Sequence, residues 1–182
     1  EDYLRILRYL RFFLNYSKQS HKEEIIKIIK INISGISIIS KERLLDELKK
    51  LLKSNQLEKL LNDKFSIDLI LLIFPELKNI KSVLSAIKVK KELFFDLDFI
   101  FTLFLMIIDD TDNLEYFLYK YNISKKNQKR AYAINNFYNE KDSLKTLNEA
   151  NLNKVLYYDG KQAVLDILNF KIIKTKKVDK KL

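Results

Sequence analysis

Apolar residues recur at steps of three and four along most of this chain, the period of helices that each bury one face. Residues 1–17 set Arg5, Arg8 and Arg11 at steps of three among bulky apolar residues, with Glu1 and Asp2 at the start. Successive helical residues turn by about 100°, so the three arginines follow one slowly spiralling stripe, and Asp2 stands one turn ahead of Arg5 on nearly the same face. On pattern alone this is an amphipathic helix with a solvated basic face and an acidic first turn that complements its dipole.

The same reading continues down the chain. A polar run, 17–22, places His21 in a surface loop, and residues 23–31 form a second helix with Ile25, Ile26, Ile28 and Ile29 on its apolar face. Gly35 serves as its stop. Ser40 is an N-cap, Glu42 sits in the first turn of a helix running to about Lys53, and Arg43 pairs with Glu47 at i, i+4. Short helices follow over 57–61 and 65–74, the latter ending at Pro75, and another covers about 77–88. The longest apolar stretch, 93–108, reads as one central buried helix. Asp96 and Asp98 interrupt it too early for a membrane span, which needs about 20 uncharged residues. Asp109, Asp110 and Asp112 mark a helix end and the cap of the next helix, 114–121. Ser124 caps a basic helix beginning at Lys125. Further helices fall at about 143–148, 151–158 and 162–174, with a turn at Asp159-Gly160 and a frayed end beyond Thr175. The expectation is an all-α, multi-helix array of about nine helices without a sheet.

Composition supports this. Two glycines and one proline in 182 residues are too few for a turn-rich β fold, and a hydrophobic fraction of 47% is that of a globular protein. The absence of cysteine excludes disulfides, thiolate zinc sites and cysteine nucleophiles and is compatible with the cytoplasm, and a single histidine excludes a metal centre built on several imidazoles. A net charge of +10 suits a phosphate-bearing partner. The abundance of Lys, Ile, Asn and Leu is equally the mark of an AT-rich coding sequence, so charge alone does not decide.

Three strings carry more. Glu1-Asp2-Tyr3-Leu4-Arg5-Ile6-Leu7-Arg8-Tyr9-Leu10-Arg11-Phe12 resembles the neck-helix motif of the class II tRNA nucleotidyltransferases (CCA-adding enzymes) and bacterial poly(A) polymerases, with Tyr3 where those proteins often have proline. The stretch from Ile36 to Leu48, containing Ser40, Glu42, Arg43 and Glu47, is similar to the next motif of that family, and Phe74-Pro75-Glu76-Leu77 to its Pro-Glu-Leu string. The likeness covers residues 1 to about 80. It implies a neck over 1–60, a helical body and start of a tail over 61–175, and a basic flexible end over 176–182.

The resemblance also implies chemistry. Aspartate accepts from an exocyclic amine and arginine donates to ring nitrogens and carbonyl oxygens, so an Asp–Arg pair imitates the Watson–Crick partners of cytosine and adenine. Asp2 and Arg5 take that role, Arg8 and Arg11 face the nucleotide's phosphates or sugar, and Glu1 orients the arginines or caps the helix. Glu42, Arg43 and Glu47 brace the neck. Lys125, Lys126, Lys129, Arg130, Lys174, Lys176 and Lys177 are candidate RNA contacts, with a solvated face as the plainer reading. The expected partners are the tRNA acceptor arm and CTP or ATP, with no membrane. The Mg²⁺-binding catalytic head of the family is expected upstream of Glu1, so no catalytic or metal-binding residue is assigned here and this piece alone is expected to be inactive. Asp96 and Asp98 lack the strand context of the family's metal-binding pair. CCA addition and poly(A) tailing share this neck. The competing reading is a non-enzymatic helical RNA-binding or protein-interaction module.

Overall fold

A computed structural model of the chain describes residues 2–54, 56–89, 91–94, 97–139 and 148–174. Every regular element among these residues is helical, as the spacing predicts. The chain forms two compact units, Glu1–Phe99 and Ile100–Leu182. The boundary expected at residue 60 falls inside the first.

The first unit contains α1 (Arg5–Tyr16), α2 (Glu23–Asn32), α3 (Lys41–Leu52), α4 (Lys64–Ile73) and α5 (Ile80–Val89), with 3-10 turns at Ile33–Ile38, Leu57–Asn62 and Lys91–Phe94. Its centre is the packing of α1 on α3. Leu7, Leu10 and Leu14 face that contact from α1, and Leu44, Leu48 and Leu51 from α3, all fully or almost fully buried. Both sets alternate steps of three and four, which keeps them on one stripe of each helix. Leu60, Ile67, Ile70, Phe74, Leu77, Ile80 and Leu84 complete this core. Ser40 caps α3 as expected, its hydroxyl accepting from Arg43 N at 3.4 Å. Asp63 does the same for α4, accepting from Ser66 N at 3.1 Å.

Helix α1 begins at Arg5, later than the pattern implies, because Asp2 to Leu4 form a turn. Asp2 Oδ1 accepts from Leu4 N at 3.2 Å, and Asp2 O from Arg5 N at 3.0 Å. Gly35 is no helix stop: α2 ends at Asn32, and Gly35 lies inside the following 3-10 turn. It is needed there for close approach, since a Cβ at residue 35 would run into the Tyr3 ring.

The second unit contains α6 (Phe99–Ile107), α7 (Asn113–Lys120), α8 (Lys125–Asn139), α9 (Glu149–Asp159) and α10 (Lys161–Lys174). The single helix expected over 93–108 is divided into the 3-10 turn ending at Phe94 and α6 starting at Phe99. Asp98 stands at the break, and the boundary between the units follows directly. Phe101 and every residue from Leu103 to Ile108 are buried, so the central-helix reading holds for the second part of that stretch. The turn between α6 and α7 is held by Asp109 Oδ1, which accepts from Thr111 N and Oγ1 at 3.3 and 2.6 Å, and by left-handed Asp110. Gly160, with φ of 87°, separates α9 from α10 at the expected turn. Residues 140–147 and 175–182, including the helix expected from 143 and the basic end with Lys176 and Lys177, lie outside the described residues.

Candidate nucleotide-recognition face

The packing of α1 on α3 brings charged residues 36 to 41 positions apart into one network. A step of three residues turns the helix by about 300°, so each arginine of the stripe is displaced by about 60° from the one before. The displacement gives the three arginines different environments. Arg11 turns to α3, where its Nε donates to Glu47 Oε1 at 2.7 Å. Arg8 stands between two carboxylates, with Nη1 donating to Asp2 Oδ2 at 3.3 Å and Nε lying 3.8 Å from Glu47 Oε2. Arg5 is exposed, and its side chain has no hydrogen-bond or ion-pair partner among the described residues.

Glu47 anchors the arrangement. Its side chain is 2% exposed, whereas those of Arg11 and Arg8 are 24% and 42% exposed. A carboxylate this deep is tolerable only when cations replace its water. Lys50 Nζ, 3.8 Å from Glu47 Oε2 and 2.6 Å from Asp46, adds a third cation. Arg43 is not paired with Glu47 as its i, i+4 spacing suggests. Its Nη2 reaches back to Asp2 Oδ1 at 3.2 Å, because Glu47 is turned into the α1 contact and Arg43 toward solvent. Asp2 is therefore held from both helices, by Arg8 and by Arg43, and not by Arg5. Glu42 sits in the first turn of α3, as expected. Glu1 lies outside the described residues.

His21, expected in a surface loop, is the largest departure from the sequence reading. Its side chain is 7% exposed. The ring stacks on Phe13 at 3.6 Å between centroids and meets the edge of Phe65 at 4.9 Å. Nε2 is 2.8 Å from Asp63 Oδ2 and 3.1 Å from Ser66 Oγ, and Nδ1 is 2.7 Å from the Tyr9 hydroxyl. With the carboxylate accepting from Nε2–H, a neutral ring accepts the Tyr9 proton at Nδ1. Burial raises the Asp63 pKa, but bonds from Ser66 Oγ, Ser66 N and His21 outweigh it and hold the carboxyl below its usual range. Burial, then the Asp63 charge, raises the Tyr9 phenol. This chain of bonds ties the back of α1 to the cap of α4. Tyr9 and Phe13, one turn apart, hint at an aromatic patch in the sequence, but nothing local ties His21 to residues 42 to 45 positions away.

The basic residues of the second unit separate into groups. Lys125 and Lys126 are exposed in the first turn of α8. Lys129 donates to the Tyr158 carbonyl and lies 3.9 Å from Asp159. Arg130 does not join the exposed basic face: it is buried, with Nε and Nη2 on Asp166 at 2.7 and 3.1 Å. It points inward because α10 presents a buried carboxylate to that side of α8. Lys174 lies over the Phe170 ring at 5.4 Å. Burial lowers its pKa, against the opposing pull of Asp110 and Asp109.

Among the described residues no group of three or more His, Cys, Asp or Glu is arranged to hold a metal ion. Asp98 precedes α6, and Asp96 lies outside the described residues.

Residues 22–81, from the start of α2 into α5, match the family described as "Probable RNA and SrmB-binding site of polymerase A". The chain is 46% identical over 57 residues to "CCA tRNA nucleotidyltransferase 1, mitochondrial" of Danio rerio, a match covering 30% of this chain and 13% of that protein. It is 40% identical over 70 residues to the Homo sapiens protein of the same name, covering 37% of this chain and 16% of that one. Over these segments the chain is similar to that family and to the two CCA tRNA nucleotidyltransferases. No solved structure matches it. The tRNA nucleotidyltransferase resemblance carried by Ser40, Glu42, Arg43 and Glu47 thus lies within the matched residues, and helix α1 precedes them. The matched segments span well under a fifth of either relative's length. No helix of the described residues is long and apolar enough to cross a membrane.

Proposed function

We propose that this chain supplies the base-selecting neck and RNA-holding body of an enzyme that transfers CMP or AMP from CTP or ATP to an RNA 3′ end, with the tRNA acceptor arm as its RNA. The observation that carries this reading is the α1–α3 network, in which Glu47 fixes Arg11 and Arg8 while Arg5 remains outward beside a doubly held Asp2.

Such a division suits base recognition. Asp2 Oδ1 already accepts from Leu4 N and Arg43, whereas Oδ2 accepts only from Arg8 at 3.3 Å among the described residues. An ionised carboxylate oxygen has two acceptor sites, so Oδ2 retains one for an exocyclic amine. Arg5 can present its donors to the neighbouring ring nitrogen of cytosine or adenine. Uracil and guanine offer a carbonyl where the amine is needed, which leaves Asp2 facing another acceptor. Held by Arg8 and Arg43, Asp2 loses little further freedom when a base arrives, and such preorganisation favours binding. Arg8 and Arg11, neutralised by Glu47, orient Asp2 and the helix more than they bind phosphate. Lys125 and Lys126 are the exposed cations left for RNA phosphates on α8.

The test uses an enzyme carrying a nucleotidyltransferase head in front of this chain. Replacing Arg5 by Ala removes a charged donor and lowers kcat/KM for CTP and ATP by about 10- to 150-fold, with little change for UTP. An unchanged ratio of CTP to UTP incorporation refutes base selection by this face.

A further inference from the structure

Arg5, Phe12 and Tyr16 are seven and eleven residues apart, which places them within about 20° of one line along α1. The buried residues of α1, Ile6, Leu7, Leu10 and Leu14, lie off that line. Phe12 and Tyr16 are 50% and 77% exposed. Their rings lie 6.0 Å apart at 25°, too close for a third ring between them, and Tyr16 is the more exposed of the two. The Arg11 guanidinium lies over the Phe12 ring, 4.6 Å from its centroid, and Arg5 continues the line as an exposed cation.

An exposed stack of two aromatic rings bordered by arginines matches a ligand that is flat, aromatic and negatively charged. The exposed Arg5 argues against an apolar protein surface, which would have to strip water from a guanidinium without replacing it. A nucleic-acid duplex hides its base faces in its own stack, whereas unpaired nucleotides present both a face and a phosphate. The line spans eleven residues, about 16 Å, on the order of four or five stacked nucleotides at 3.4 Å each.

We propose that the Phe12–Tyr16 stack is a platform for unpaired bases of single-stranded RNA. This rests on the RNA-binding reading above and not on the selection of cytosine or adenine. Stacking accepts any base, so the platform holds the strand while selection is left to Asp2 and Arg5.

The test is fluorescence anisotropy of the full chain with a labelled 12-nucleotide oligoadenylate and with a blunt RNA duplex of equal length. Phe12→Ala and Tyr16→Ala each weaken single-strand binding about tenfold, within the range known for base stacking on aromatic side chains. Both rings are exposed, so circular dichroism melting stays that of the wild type. Phe12→Tyr and Tyr16→Phe keep the affinity, and the salt slope is unchanged in all four variants. Equal single-strand binding by wild type, Phe12→Ala and Tyr16→Ala overturns the platform. So does an equal loss for the duplex, or the finding that these variants abolish self-association of the chain with no effect on RNA. Loss of strand affinity in Tyr16→Ala while Arg5→Ala leaves nucleotide choice unchanged retains the platform and rejects base selection; the reverse pattern does the opposite.

Discussion

Removing Glu47 is the most direct probe of how α1 is held. Its carboxylate is 2% exposed and receives Arg11 at 2.7 Å, with Arg8 and Lys50 each at 3.8 Å. Breaking a fully buried ion pair costs about 3–5 kcal/mol, because the surviving charge is stranded. Here the surviving partners are partly exposed, Arg11 at 24% and Arg8 at 42%, and can regain water. The loss is therefore nearer that of one charge-assisted hydrogen bond, about 1.5–3 kcal/mol, and Glu47→Ala should cost about 2–3 kcal/mol once the small void is included. Glu47→Gln keeps the volume and one acceptor, and should cost about half as much. The assay is urea denaturation followed by circular dichroism. Because the chain has two compact units, the relevant transition is the one that Leu48→Ala also shifts, since Leu48 belongs to the same α1–α3 contact. A double-mutant cycle with Arg11→Met isolates the pair, with an expected coupling of about 1–2 kcal/mol. Coupling near zero would refute Glu47 as the anchor of the arginines, whatever the single variants do.

Three further outcomes follow from other parts of the molecule. Gly35→Ala forces a Cβ into the Tyr3 ring and should lower stability by about 1–3 kcal/mol, and adding Tyr3→Ser should recover most of it; an equal cost in the Tyr3→Ser background removes the steric explanation. Asp63 has a folded-state pKa below its unfolded value of about 3.9, so its stabilisation is complete above that value and is lost as pH falls through the lower folded pKa. Asp63→Asn should therefore reduce stability at neutral pH and flatten the acid limb of a stability–pH curve, and an unaltered limb would contradict this. Arg130→Met should cost about 3–5 kcal/mol in the second unit by stranding Asp166, yet leave oligoadenylate affinity unchanged; loss of affinity in a folded protein would return Arg130 to the RNA-binding residues.

Helix positions were legible in the sequence because they depend on local period and on caps such as Ser40, whose hydroxyl bonds to a backbone only three residues away. The division of 93–108 was less so, since an apolar run satisfies helix and core equally and its break is set at the boundary between two units. The charged network was legible in its membership and obscure in its pairing. Glu47 and Arg43 are neighbours on α3 by spacing, but packing against α1 offered each a partner with a better environment: Arg11 for the buried carboxylate, Asp2 for the exposed guanidinium. His21 shows the limit most plainly. A histidine in a polar run carries no local sign that Phe13 will lie beneath it and Asp63 across from it.

The spiral of the arginine stripe was present in the sequence from the start, and its consequence is physical. A step of exactly one helical turn would have aligned three guanidiniums on one face, where they repel and compete for one ligand. A step of three residues rotates each by about 60°, so that Arg11 meets the interior carboxylate, Arg8 bridges, and Arg5 emerges on the helical line of Phe12 and Tyr16. The same spacing thus separates the cation that holds the helix from the cation available to a ligand. Moving Arg11 to position 12 by a paired Arg11→Phe, Phe12→Arg exchange tests this separation. It removes the bond to Glu47 and one ring of the exposed stack together, so both the stability of the first unit and oligoadenylate affinity should fall, whereas Arg11→Met lowers stability alone. If Arg11→Met reduced strand affinity as much as the exchange, the cation would belong to the ligand and the separation would be wrong.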